Sequence, residues 1–350
     1  MIVRQIKLKL NSKQESMLSA WIWHLTAVYN WGIKKIENDA RNYIYYSKNN
    51  FQNLLANHSR KLGIPSHTLQ GTLIQAYIAW QRCFKKLAKK PRLKGNCNKL
   101  NSIAFPDPFQ FPKENRINIP GLGSVRYHKQ KIPKACIKSG RIIKRASGWY
   151  LCLWIDANPN KIIITGDGQI GIDPGFKTLL TLSTGEKIEH PRELEYTEIR
   201  ICQAQRGHNK KLTARIHEHI GNQRKDRNHK LSRRLVSENK LIVFSADHHQ
   251  KIARNFGKSV SSSGHYQLQQ MLFYKSSSCG RKYVEVDSRN STKTCSVCGA
   301  LNGPTGWNGL VVRHWVCACG AQHDRDINAA INTLYAGAGV AHERELYNIV

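Results

Sequence analysis

Four cysteines gather near the C-terminal end: Cys295 and Cys298 in "CSVCG", and Cys317 and Cys319 in "CACG". Four thiolates on two tight knuckles suit a tetrahedral zinc ion, and the loop between the pairs suits a ribbon. The second pair is C-x-C, a tighter bite than C-x-x-C, and His314 or His323 could stand in for one thiol. Four protein ligands leave no open coordination position, so a structural role is expected. Neither pair opens a helix in a βαβ unit, which argues against dithiol redox chemistry.

Two carboxylates are the other candidates. Asp173 ends the short apolar run of "GQIGIDPG". It reads either as an Asx-type turn on "DPG" or as a metal-holding group, because a buried carboxylate is costly unless paired or metal-bound. Asp326, in "HDRDINAAINTL", shares a helical face with Ala329, Ala330 and Leu334. Its bland reading is a first-turn acid at the positive end of the helix dipole, behind an Asp324 cap.

The rest of the chain bounds what these groups can serve. It has 350 residues, room for two or three domains, and 40% are hydrophobic, which argues against disorder as the main state. Lys and Arg number 55 against 23 Asp and Glu, a formal net charge of +32. Such a charge repels itself unless a polyanion neutralises it, so nucleic acid is the leading partner. No apolar run approaches the roughly 20 residues that span a bilayer, and "MIVRQIKLKLNSKQES" has no apolar core. Six of the ten cysteines are scattered singly, as in a reducing compartment. A cytoplasmic, nucleoid-associated protein without membrane contact is expected.

The elements that must position the candidates follow from periodicity. "MIVRQIKLKL" alternates as a strand, and "SKQE" from Ser12 to Glu15 reads as a capping box opening a long helix. "NFQNLLANHSRKLG" reads as a second helix stopped near Gly63, and Leu69, Leu73, Tyr77, Trp80 and Phe84 mark a third. The bundle's tryptophans read as core rather than base-stacking platforms. From residue 100 to 156 short strands split by Gly and Pro suggest a small β-barrel joined by the N-terminal strand. Beyond Gly168 come a strand ending at Asp173, a hairpin around Gly185, a basic helical stretch, the strand "KLIVFSAD", helices over "QKIARNFGKSV" and "HYQLQQMLFYKSSSCG", and the strand "KYVEVD". This strand pattern is RNase-H-like. With it, the two acids suggest a two-metal phosphodiester site, in which carboxylates hold two Mg²⁺ ions roughly 3.5–4 Å apart.

"GIDPGFKTLLTLSTG", "YKSSSCGRKYVEVDSRNSTKTCSVCG", "HWVCACGAQHDRDINAAINTL", "KKPRLKG" and the N-terminal "QIKLKLNSKQESML" with "VYNWGI" resemble the TnpB (OrfB) proteins of insertion sequences, relatives of type V CRISPR effectors. The resemblance runs along nearly the whole chain. It implies a multidomain α+β protein. An OB-like wedge β-barrel would take residues 1–10 and 97–165, and a helical recognition domain residues 11–96. A RuvC nuclease domain of RNase H type would take 166–290 and 324–350, interrupted by a zinc-ribbon insert over 291–323. It also implies RNA-guided cutting of double-stranded DNA with Mg²⁺, beside a short flanking motif, with a transposon-derived guide RNA as cofactor. Asp173 then matches the first RuvC acid and Asp326 the third, both as magnesium ligands.

The second acid departs from the pattern. The family carries a Glu in a strand of the form I-V-x-E-x-L; this chain has "IVFSAD", with Ser245 at the Glu position. A neutral hydroxyl is a poor substitute for a bridging carboxylate. Asp247 is two residues on, on the same side of the strand but about 6.6 Å farther along. Glu285, and Asp287 on its face, lie in the next expected strand, about 4.8 Å away. Glu285 is therefore the expected replacement, completing a catalytic set of Asp173, Glu285 and Asp326. The alternative is a nuclease-dead, RNA-guided DNA-binding repressor; a third possibility is a zinc-ribbon nucleic-acid binder whose acids are incidental.

Overall fold

The alternation of the N-terminal segment becomes β1 (Ile2–Lys9), which buries Ile6 and Leu8. The structure, a computed structural model, describes residues 2–96, 99–130, 132, 136–157, 162–191, 193–246, 257–309 and 311–339. The chain divides into two units, Met1–Asn160 and Lys161–Val350. No described helix is long and apolar enough to cross a membrane.

In the first unit, β1 is followed by α1 (Ser12–Arg41), a short helix (Lys48–Asn53), a 3₁₀ turn, the single turn Ser59–Leu62 and α2 (Ser66–Phe84). The capping box is real but lies one residue earlier than expected. Asn11 is the cap, accepting from the Gln14 amide, and the Gln14 side chain accepts in return from the Asn11 amide. The second helix expected over "NFQNLLANHSRKLG" is broken into three short pieces, the last ending at Gly63 in the left-handed region. α1 crosses α2 at Gly32, where an added Cβ would sit 3.1 Å from that of Ala76, and the Trp80 indole donates to Ile33 O at 3.0 Å. Trp21 and Trp80 are core as expected, but Trp23 and Trp31 are exposed, which corrects the uniform reading of the bundle's tryptophans.

β2 (Ser102–Phe105), β3 (Arg116–Ile119), β4 (Gly123–Tyr127), β5 (Cys136–Arg145) and β6 (Gly148–Asp156) join β1 in one sheet, ordered β2-β5-β6-β1-β4-β3. β1 is the central link between β6 and β4, and β2 and β3 are the outer strands. One continuous apolar core unites this sheet with α1 and α2.

The second unit is built on a mixed sheet of β7 (Gly168–Pro174), β8 (Thr178–Leu182), β9 (Lys187–Glu189), β10 (Asn239–Ala246) and β11 (Lys282–Asp287), ordered β11-β10-β7-β8-β9. β7, β10 and β11 run parallel, and β8 and β9 return antiparallel. The basic stretch forms α3 (Glu193–Arg206) and α4 (Lys210–Glu238); α5 (His265–Ser278) precedes β11. The helix expected over "QKIARNFGKSV" lies mostly outside the described residues. One face of the sheet buries Ile170, Ile172, Leu182, Ile242 and Phe244 with Leu235 and Val236 of α4 and Leu268 and Leu272 of α5. The opposite face receives α6 (Arg325–Ala338).

That second contact is backbone on backbone. An added Cβ on Gly171 would run into Ala330 O and come within 2.7 Å of Leu334 N; one on Gly337 would strike the Val243 side chain, 2.9 Å from its Cβ. Glycine is required at both because nothing larger fits. Between α4 and α5, Lys275 is buried and donates from Nζ to His229 O at 2.7 Å and Ser232 Oγ at 2.6 Å. Burial, with Arg233 adding repulsion, pushes its pKa down to about 8.

Two outcomes follow. Gly171→Ala should destabilise the second unit by about 1–3 kcal/mol or more through overpacking, read as a shifted denaturation midpoint. For Lys275, the unfolded chain holds the extra proton between about pH 8 and 10.5. Stability should therefore rise with pH through that window, by up to about 3 kcal/mol, and Lys275→Met should remove the rise.

Candidate functional site

Strand pairing decides which acids meet. In the parallel and antiparallel ladders, Lys187 pairs with Thr181, Thr181 with Asp173, and Ser245 with Val286. Ile172 pairs with Phe244, so Ser245 continues the ladder beside Asp173. Residues directly opposite share a face. One row therefore crosses the sheet, Lys187–Thr181–Asp173–Ser245–Val286, on the face of Gly171 and Val243, the side on which α6 packs. Asp173, half-buried, stands in the middle of it.

α6 brings Asp326 to that face. Asp324 caps the helix, its Oδ1 accepting from the amides of Asp326 and Ile327, both at 3.1 Å. Its other oxygen meets Lys187 Nζ at 2.7 Å, which ties the start of α6 to the edge of the same row. Burial works against the charge on Asp324, but Lys187 and the two amides outweigh it and hold the carboxyl below its usual range. Strands about 4.8 Å apart put Asp173 about 10 Å from Lys187, with the first turn of α6 above the interval. The Asp326 carboxylate faces Arg313 Nη1 at 3.2 and 3.3 Å. A cation taking Asp326 would compete with that guanidinium for the carboxylate.

Glu285 does not join them. It pairs with Phe244, whose ring is buried with α4 and α5 on the other side of the sheet. There it accepts a hydrogen bond of 2.9 Å from Tyr283, whose own pKa burial and the Glu285 charge push up. Asp287, paired with Ala246, shares that far face and accepts from the Arg289 amide at 3.0 Å. The expectation that Glu285 replaces the second acid is thus corrected. The strand is adjacent, but the side-chain parity is wrong, and a side chain cannot reach through a sheet. Asp247 lies outside the described residues. Ser245 is fully buried in that row, and its hydroxyl has no hydrogen-bond partner among the described residues.

The cysteines converge. The four sulfurs lie within 4.8 Å of one another, with Cys295–Cys319 at 3.8 Å and Cys298–Cys317 at 3.5 Å. A zinc–sulfur bond of about 2.3 Å places tetrahedral sulfurs about 3.8 Å apart, so the cluster fits the ion. The two knuckles close turns of different length, in step with the C-x-x-C and C-x-C spacings, five residues from Cys295 to Gly299 and four from Cys317 to Gly320. Gly299 donates to Cys295 O and Gly320 to Cys317 O, each at 2.9 Å and each with positive φ. Burial opposes ionisation of Cys317, but donors from Cys319 N and Asn302 bring its pKa down to about 6, while burial pushes Cys295 up to about 12. His314 is outside the cluster; His323 stands behind it, Nε2 3.0 Å from Cys295 Sγ and its ring on Trp315. Periodicity gave no hint of Lys187, whose partner Asp324 is far along the chain, or of Arg313, whose partner Asp326 lies across the hairpin of β12 (His314–Val316) and β13 (Gln322–Asp324).

Two family profiles match the second unit: "Probable transposase", the OrfB profile of IS605 type, over residues 165–246, and "Cas12f1-like, TNB domain" over 265–333. A "Putative RNA-guided DNA endonuclease" of Streptomyces pristinaespiralis is 36% identical over 294 residues, 78% of this chain and 72% of that protein. InsQ of Escherichia coli strain K12, described in the same words, is 24% identical over 306 residues, 79% of this chain and 75% of its own. A cryo-EM structure of a Cas12f1–sgRNA–target DNA complex aligns with a TM-score of 0.57 at 14% identity, over 91% of this chain and 82% of that one. That likeness defines the class, a multidomain α+β protein with the fold seen in Cas12f1. Within the class, the chain belongs to the TnpB (OrfB) family of insertion-sequence proteins.

Cys295→Ser and Cys298→Ser should each lose bound zinc and lower the melting temperature of the second unit; atomic emission on the purified proteins reads the metal.

Proposed function

We propose that this chain is an RNA-guided DNA endonuclease, cutting target DNA with Mg²⁺ after guide-RNA pairing beside a short flanking motif. The observation that supports the reading is that the face of the mixed sheet bearing Asp173 is the one covered by α6, which carries Asp326 in its first turn, in a chain 36% identical to a protein described as such an endonuclease. The net charge of +32 suits a protein that holds a guide RNA and a DNA duplex together. On this reading residues 1–10 and 97–165 are the wedge barrel and 11–96 the recognition helices. Residues 166–290 and 324–350 are the RuvC domain, and 291–323 the zinc ribbon. The protein acts in the cytoplasm, on the nucleoid.

Asp173 and Asp326 would hold the magnesium. When bound, the ions activate the attacking water and stabilise the leaving oxygen. Asp173 is fixed by its strand, and Asp326 by the cap at Asp324. Arg313 keeps the Asp326 carboxylate neutralised until a cation and a phosphate backbone compete for the two partners.

Ser245 favours a second reading. A buried hydroxyl stands beside Asp173 where the family carries a Glu, and the acids of β11 face the other way. A protein with two acids in place of three would bind its target under RNA guidance and leave it uncut, as a repressor.

Cleavage separates the readings. The protein is purified with its co-expressed flanking RNA and given Mg²⁺ and a plasmid library, with a guide-matched target beside randomised flanks. Cutting that falls more than about a hundredfold in Asp173→Ala and Asp326→Ala is the expected result. Glu285→Ala should stay within about threefold of wild type. Asp247→Ala tests the remaining candidate for the second acid. Sequence-specific binding with no cutting by the wild type would establish the repressor instead.

A further inference from the structure

α6 carries two asparagines one turn apart on a face that otherwise buries Ala329 and Ala330. Asn328, 1% exposed, accepts from the Ser296 amide at 2.9 Å and donates to Thr294 O at 2.8 Å and Ser291 O at 3.3 Å. Asn332 donates to the same two carbonyls, Ser291 O at 2.8 Å and Thr294 O at 2.7 Å. Its own Oδ1 is buried and has no hydrogen-bond partner among the described residues, so the two donated bonds carry the side chain's polar contacts there.

The backbone they grip is the first cysteine knuckle. Thr294, Cys295 and Ser296 are consecutive, and Cys295 is hydrogen-bonded through its backbone to Ala300 and Gly299. The second knuckle leads into the same helix by another route. After Cys319 the chain forms β13 (Gln322–Asp324), paired with β12 (His314–Val316), and ends at the Asp324 cap. Arg325 N donates to Arg313 O at 2.8 Å, closing that side. The first knuckle is thus bonded to α6 through Asn328 and Asn332, and the second leads through β13 into the Asp324 cap, beside Asp326 in the first turn.

We propose that Asn328 and Asn332 are positioning residues that convert metal occupancy of the cysteine cluster into the placement of Asp326. A metal bound to Cys295 fixes the backbone from Thr294 to Ser296. The two amide side chains then hold that backbone against α6, and α6 lies on Gly171, two residues before Asp173. Without metal the knuckle loosens, the asparagines lose fixed partners, and the start of α6 frays with Asp326 on it. The ribbon is thus a lock on the acidic site. The inference rests on the assignment of zinc to the cluster and of Asp326 to magnesium.

Hydrogen–deuterium exchange of the full-length protein tests it, read on peptides covering residues 325–334, with bound metal and target cutting measured alongside. Stripping metal from the wild type with a chelator should speed exchange there by about tenfold or more. Asn328→Ala and Asn332→Ala should retain the wild-type metal content and the same Co²⁺–thiolate absorption, yet exchange about as fast as the stripped wild type. Stripping them should add nothing further. Their Mg²⁺ requirement for cutting should rise about tenfold with target binding unchanged, a split that general unfolding would not produce.

If α6 keeps its protection in the stripped wild type, or in the metal-bearing variants, the proposal is overturned, whatever the cutting shows. The wild-type arm needs no variant to fold. If exchange behaves as expected but the wild type does not cut, the lock stands and the nuclease reading falls.

Discussion

The second unit depends on how closely α6 lies on β7. Gly171 lets the helix backbone sit on the strand backbone, and Gly337 lets the helix continue over Val243 of the next strand. Contact at that distance fixes both the height and the rotation of the helix, because interiors are packed too tightly to slide. Asp326 at the start of α6 and Asp173 two residues beyond Gly171 are thereby held on the same side of the sheet, although far apart in sequence. On the opposite face the sheet packs its apolar side chains against α4 and α5.

Around that contact the polar interactions are arranged to orient rather than to stabilise. Asp324 is used three ways: as helix cap, as partner of Lys187, and as the link out of β13. Arg313 holds Asp326 from within the ribbon. Exposed pairs elsewhere, such as Lys230–Asp226 and Lys258–Glu198, are of the kind that contributes little to stability. The excess positive charge is not neutralised within the protein, and it fits a chain that works bound to nucleic acid.

The four-cysteine segment is continuous with the start of α6 rather than appended to it. It enters through the knuckle that Asn328 and Asn332 grip and leaves through the strand that caps α6. Asp324 and Asp326 follow the second knuckle closely because the chain leaving Cys319 runs through β13 directly into the cap of α6.

Much of this was legible in the sequence. Alternation over "MIVRQIKLKL" and "KYVEVD", the apolar run before Asp173, the helical period after Asp326 and the two cysteine knuckles all act over a few residues, where local geometry dictates the outcome. The asparagines of "NAAIN" were visible as polar residues on an apolar helix face, although their partners were not. The Glu285 assignment failed for a physical reason. A strand's sequence shows that its side chains alternate, but not which set faces a given neighbour. That depends on register, which is set by pairing between segments some forty residues apart and by the helices that cover each face. Local chemistry was determined by the sequence itself; only the tertiary structure decided which carboxylates share a side of the sheet, because parity between strands is a property of their packing and of no single segment.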